Sequence, residues 1–66
     1  MINIYLNGEP ISIYPQTTLK NLLINKDFSG IFAVAINEAI INCINYETTI
    51  IHAGDRVEVI TAMCGG

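Results

Sequence analysis

The stretch INIYLNGEPISI, residues 2–13, decides how the chain begins to fold. Ile2, Ile4 and Leu6 alternate with Asn3, Tyr5 and Asn7, the period of two that sends alternate side chains to opposite faces of a strand. Asn7-Gly8 follows, a dipeptide suited to the two positive-φ positions of a type I′ hairpin turn. With those two residues as the loop, Leu6 faces Glu9, Ile4 faces Ile11 and Ile2 faces Ile13. The apolar residues of both strands then share one face, so turn and pattern specify the same register.

Working outward, Pro15 ends the second strand because it cannot donate to a ladder. TTLKNLLINK, residues 17–26, places Leu19, Leu22 and Leu23 at helical spacing, with Thr17 or Thr18 as N-cap. Lys26 falls in the last turn, where a cation suits the helix dipole. Gly30 breaks the chain, and IFAVAINEAII, residues 31–41, reads as two short strands around Asn37-Glu38. That loop pairs Ile36 with Ala39 and Val34 with Ile41. NCINYETTII, residues 42–51, reads as a loop with a short helical turn near Tyr46. In HAGDRVEVIT, residues 52–61, Gly54-Asp55 make a turn, and Val57 and Val59 point inward from a last strand. Arg56, Glu58 and Ile60 point outward. Asp55 is placed to hold its turn by bonding nearby backbone. The order strand, strand, helix, strand, strand, strand predicts an α+β domain, a small mixed sheet packed on one helix.

Size and composition narrow the function. Sixty-six residues with 52% hydrophobic and 14% charged content describe one folded domain, residues 1–66. A chain this short buries only about 60% of its unfolded surface, which favours a surface read by partners over an enclosed active site. A net charge of −3 repels a phosphate backbone and argues against nucleic acid. Lys20, Lys26 and Arg56 are the only strong cations, so no basic membrane patch exists. The longest apolar stretch, around Ile31 to Ile36, is far short of the ~20 residues of a spanning helix. Met1 leads straight into a strand pattern with no signal-peptide features. Cys43 and Cys64 match no metal-ligand spacing and make no disulfide scaffold. The expected setting is the cytoplasm with both thiols reduced, or the plastid stroma if the chain is organelle-encoded.

No catalytic set is recognisable. A nucleophile needs a positioned base, and His52, the only histidine, sits beside a turn signal as a solvated loop residue. The six carboxylates, Glu9, Asp27, Glu38, Glu47, Asp55 and Glu58, are scattered. Cys43 reads as a small packing residue. The expected working part is the end of the sequence, TAMCGG, with residues 62–66 as a flexible tail that presents the carboxylate of Gly66. A carboxylate is a poor electrophile until it is joined to an adenylyl group. Glycine suits such a tail, because without a Cβ its backbone passes closely through a narrow site. Gly65, Cys64 and Met63 would thread with it. On the outward face of the last strand, Ile60 is the candidate partner anchor, with Glu58 and Ala62 beside it. Met63 is adaptable enough to join them.

AVAINEAII, residues 33–41, the GDRVEVITAM run, residues 54–63, and the final Gly-Gly closely resemble the sulfur carrier proteins of thiamine biosynthesis, the ThiS family. The resemblance extends to the opening NGEP hairpin and spans nearly the whole chain. It implies a ubiquitin-like β-grasp fold and a carrier acted on by enzymes, not an enzyme. It implies that a ThiF-type adenylyltransferase uses ATP and Mg to adenylate Gly66, neither cofactor being bound by this chain. Sulfur from a cysteine-desulfurase relay would displace AMP and leave a thiocarboxylate, which thiazole synthase would use for the thiazole moiety of thiamine. Cys64 departs from the family pattern, where a polar residue often precedes the two glycines. It reads either as a tolerated substitution or as a thiol that joins in sulfur transfer. Alternatives within the same chemistry are the molybdopterin-synthase small subunit and carriers for other sulfur-containing metabolites. Alternatives of another class are a ubiquitin-like protein modifier and a β-grasp binding module with an idle tail.

Overall fold

The structure, a computed structural model, describes residues 1–61 apart from the side chain of Phe32. The first hairpin joins β1, Ile2–Leu6, to β2, Glu9–Ile13. Its register pairs Ile2 with Ile13, Ile4 with Ile11 and Leu6 with Glu9, as the alternation and the Asn-Gly turn require. The second hairpin joins β3, Ile31–Ile36, to β4, Ala39–Ile41, with Ile36 opposite Ala39 and Val34 opposite Ile41. Both turns are left-handed at both central residues: Asn7 and Gly8 have φ of 51° and 85°, Asn37 and Glu38 have φ of 52° and 72°. Asparagine tolerates this region because its short side chain can bond locally, whereas a longer residue such as Glu38 is strained there by about 1–2 kcal/mol.

Strand β5, Arg56–Thr61, runs between the hairpins, giving the order β2-β1-β5-β3-β4. It is parallel to β1 and antiparallel to β3. Edges therefore fall on β2 and β4. Pro10 lies on the β2 edge, where the missing N–H discourages pairing with another chain. A register shift interrupts the β3–β5 ladder between Ile31 and Ala33, opposite Ile60 and Thr61.

Helix α1, Leu19–Asn25, covers one face of the sheet. Thr18 is its N-cap, and its hydroxyl accepts the Asn21 N–H at 3.2 Å, satisfying an amide the helix leaves free. Lys26 is the C-cap and not a residue of the last turn, because Asp27 turns left-handed, φ 57°, directly after it. Leu19, Leu22 and Leu23 are buried against Ile4, Ile13, Val34, Ile36, Val57 and Val59, with Ile51 completing the core. The connection from β4 to β5 straps across the start of the helix. It contains a 3-10 turn, Cys43–Asn45, capped by Asn42, just before the expected position at Tyr46. Leu19 N–H donates to the Thr49 carbonyl at 2.8 Å and Ile51 N–H to the Thr17 carbonyl at 3.0 Å. Cys43 lies on the outside of this turn and is exposed, which corrects its reading as a packing residue. Every buried side-chain polar atom among the described residues has a hydrogen-bond partner. No helix among them is long and apolar enough to cross a membrane.

A surface ion pair ties this strap to the helix. The Lys20 ammonium donates a hydrogen bond to the Glu47 carboxylate. That bond first, and the lysine charge second, hold the Glu47 carboxyl below its ordinary pKa. A depressed folded-state pKa stabilises the fold above the unfolded value, and the effect is lost as pH falls through the folded one. Both side chains are solvated, so the effect on stability is small. The titration itself is the sharper readout: by NMR, the Glu47 carboxyl midpoint should rise in Lys20→Ala, and an unchanged midpoint would remove this pair from the account.

Candidate functional site

The alternation along β5 separates two surfaces. Val57 and Val59 are buried under the helix, whereas Arg56, Glu58 and Ile60 face the opposite side. The outward set is the one expected from the sequence, and Ile60 is 50% exposed on it. Cross-strand pairing builds a surface around it. Ala33 of β3 lies beside Ile60, Ala35 beside Glu58, and Ile40 of β4 beside Ala35. Ile40 is 68% exposed, yet Ala35 between its neighbours is buried. The outer face is thus apolar toward the end of β5. Toward the start of β5, Tyr5, Gly8, Glu38, Arg56, Val57 and Glu58 line a shallow open depression. Arg56 has no carboxylate within salt-bridge distance among the described residues.

What holds β5 in this position was not singled out from the sequence. Beyond the backbone ladders with β3 and β1, the two hairpin asparagines hold it. Asn7 N–H donates to the Val57 carbonyl at 2.9 Å, continuing the parallel ladder from β1. The next rung would need the Asn7 main-chain carbonyl, which the left-handed turn redirects. The Asn7 side chain substitutes: its Oδ1 accepts the Val59 N–H at 2.8 Å. Asn37 repeats the device on the other side. Its N–H donates to the Arg56 carbonyl at 2.8 Å, and its Oδ1 accepts the Arg56 N–H at 2.9 Å. Its Nδ2 donates to Asp55 Oδ1 at 3.0 Å, while Asp55 Oδ2 accepts the His52 N–H at 2.9 Å. Asp55 therefore holds its turn as expected. The available signal was asparagine at the first position of both hairpin loops, read for its φ and not for its amide.

Ala62, Met63, Cys64, Gly65 and Gly66, the expected threading and reacting residues, lie outside the described residues. Ile60 and Glu58 are on the strand that leads to them. His52 is exposed, 4.0 Å from Asp55 through Nδ1. Among the described residues no three His, Cys, Asp or Glu side chains are grouped as a metal would need. The arrangement is a central strand with a buried face and a partly apolar open face, and a sequence ending in two glycines follows it.

Comparison with known proteins gives two findings. The sequence model of the ThiS family matches residues 4–66. The fold is similar to that of the thiamine biosynthesis protein (ThiS) from Geobacter metallireducens, with a TM-score of 0.84 and 23% identity over 98% of this chain and 100% of that one. No curated protein matches the chain.

The Asn7 rung makes a direct prediction. Asn7→Ala leaves the partly buried Val59 N–H without an acceptor and should cost about 1–3 kcal/mol in urea unfolding. Asn7→Asp keeps an oxygen in place and should lose less. Equal losses in the two variants would mean that the amide oxygen does not hold β5.

Proposed function

The chain belongs to the ThiS family, and from that membership we propose that it is a sulfur carrier protein for thiamine biosynthesis. The observation that carries the reading is the extent of the family match, which runs from β1 through Gly65 and Gly66. On this reading the chain is a co-substrate, and the chemistry is done on its Gly66 carboxylate by partner enzymes. A ThiF-type adenylyltransferase, with its own ATP and Mg, joins the carboxylate to the adenylyl group and releases pyrophosphate. The mixed anhydride has a good leaving group. A persulfide on the cysteine-desulfurase relay attacks the carbonyl carbon and AMP departs; a thiol reductant then cleaves the acyl disulfide, leaving the thiocarboxylate and a disulfide on the relay side. Thiazole synthase then takes that sulfur into the thiazole ring.

The described residues would contribute recognition. The outer face carries Ile60 of β5, Ile40 of β4 and the two alanines of β3 between them. An exposed aliphatic residue beside shallow ground is a suitable anchor for a partner, since a few such residues carry most of an interface's energy. Glu58 next to it and Arg56 at the start of β5 add charges that fix orientation more than they add affinity. Ala62 and Met63 would extend this surface toward the reacting end, with Cys64 and Gly65 passing into the enzyme's site.

Two variants test the reading. Ile60→Asp changes a half-exposed side chain, so its unfolding free energy should stay within about 0.5 kcal/mol of the parent. Its KM in adenylyltransferase-driven pyrophosphate release should rise at least about tenfold. A chain lacking Gly66 should release none. Full activity without Gly66 would overturn the carrier reading, and an unchanged KM for Ile60→Asp would move the partner surface elsewhere.

A further inference from the structure

We infer that Asn7-Gly8 is a site of spontaneous backbone modification through a cyclic imide, and that the β1–β5 rung controls its rate. In this reaction the main-chain nitrogen of Gly8 attacks the side-chain carbonyl carbon of Asn7. The new N–Cγ bond forms, the Cγ–Nδ2 bond breaks, and the Gly8 nitrogen loses its proton as ammonia leaves. Water then opens the imide. Opening at the former side-chain carbonyl gives an aspartyl residue; opening at the main-chain carbonyl gives an isoaspartyl residue, with the chain rerouted through the side-chain carbon. Water is the only co-reactant.

Two features of the structure point to this site, and the hold on Asn7 restrains it. The attacking nitrogen belongs to a glycine in open space: a Cβ at Gly8 would meet nothing within 4 Å. Asn7 and Gly8 are both exposed at the tip of the first hairpin, so water and base reach them. The Asn7 amide is nevertheless held, with Oδ1 bonded to the Val59 N–H at 2.8 Å and its own N–H bonded to the Val57 carbonyl at 2.9 Å. The residue is left-handed, φ 51°. To attack, the Gly8 nitrogen must swing over the Asn7 side chain, which requires rotating the backbone out of the turn and releasing Oδ1 from Val59. The folded molecule keeps the reacting atoms apart until that rung opens.

Asn37-Glu38 is an internal control. It has the same turn, with φ of 52° and 72°, and an equivalent hold on the amide by Arg56 and Asp55. Its attacking nitrogen belongs to a residue with a side chain, which hinders approach. The two products at Asn7 differ in consequence. The aspartyl form retains an oxygen where Val59 needs an acceptor. The isoaspartyl form lengthens the turn by one backbone atom and withdraws that oxygen, leaving the centre of β5 without its rung.

The test is incubation of the full chain in mildly alkaline heavy-oxygen water, folded or in concentrated urea, with fragmentation to locate incorporated label. In urea, Asn7 should take up label well ahead of Asn37. In the folded chain, Asn7 should react at least about tenfold more slowly, because only the locally open state is competent. Hydrogen exchange at Val59 in the separated products should stay slow for the aspartyl form and become fast for the isoaspartyl form. Equal rates at Asn7 in the folded and unfolded chain, labelling of Asn37 as fast as Asn7 in urea, or indistinguishable exchange at Val59 would each overturn the inference.

Discussion

The structure depends on how its central strand is held. Strand β5 has no hairpin of its own; the chain reaches it through a long connection, and it lies between the two hairpins. The ladder with β3 runs along β5 from Val57 to Thr61, but the paired residues of β1 stop at Leu6 opposite Val57, and both β1 and β3 end in a left-handed turn. Asn7 and Asn37 extend both ladders with side-chain amide oxygens, to Val59 and Arg56. The residue type that makes each turn affordable also supplies the rung that the turn removes. Asparagine meets both needs, since it tolerates left-handed φ and carries a carbonyl oxygen. Aspartate would offer the oxygen without the second donor, which Asn37 uses on Asp55.

Once β5 is fixed, its alternation divides the labour. Val57 and Val59 fill the core against Leu19, Leu22 and Ile51. The outward residues are freed from any packing duty. A sheet with one face covered by a single helix leaves the other to solvent, and here that face carries Ile60, Ile40 and nearly covered Ala35. On the proposed carrier reading, this is the economy of the fold: stability comes from one face, recognition from the other, and β5 leads from both toward the reacting residue.

Much of this was legible in the sequence, for identifiable reasons. The hairpin registers followed from period-two alternation joined to short loops, two signals that constrain each other. The core leucines of α1 and the inward valines of β5 followed from spacing. Cys43 was misread because small apolar residues are so often buried, and nothing local marks a short 3-10 turn that leaves the thiol outside. The asparagine rungs were invisible because they join residues far apart in sequence, Asn7 with Val59 and Asn37 with Arg56; a turn residue's local role gives no notice of a distant one. The parallel pairing of β1 with β5 was hidden for the same reason. The outer face could be named from β5 alone, but its apolar extent needed β3 and β4 placed beside it.

The measurement that tests the account most directly is the mass of the intact chain after incubation with a ThiF-type adenylyltransferase, ATP, Mg and a sulfur source, followed by fragmentation. The account predicts that one oxygen is replaced by sulfur, that the change lies on Gly66, and that it requires ATP. Oxidation of Met63 or Cys64 shifts the mass almost identically, so position and ATP dependence decide the matter. A chain that stays unmodified beside a demonstrably active enzyme, or one whose change lies on Met63 or Cys64 and forms without ATP, would contradict the carrier reading.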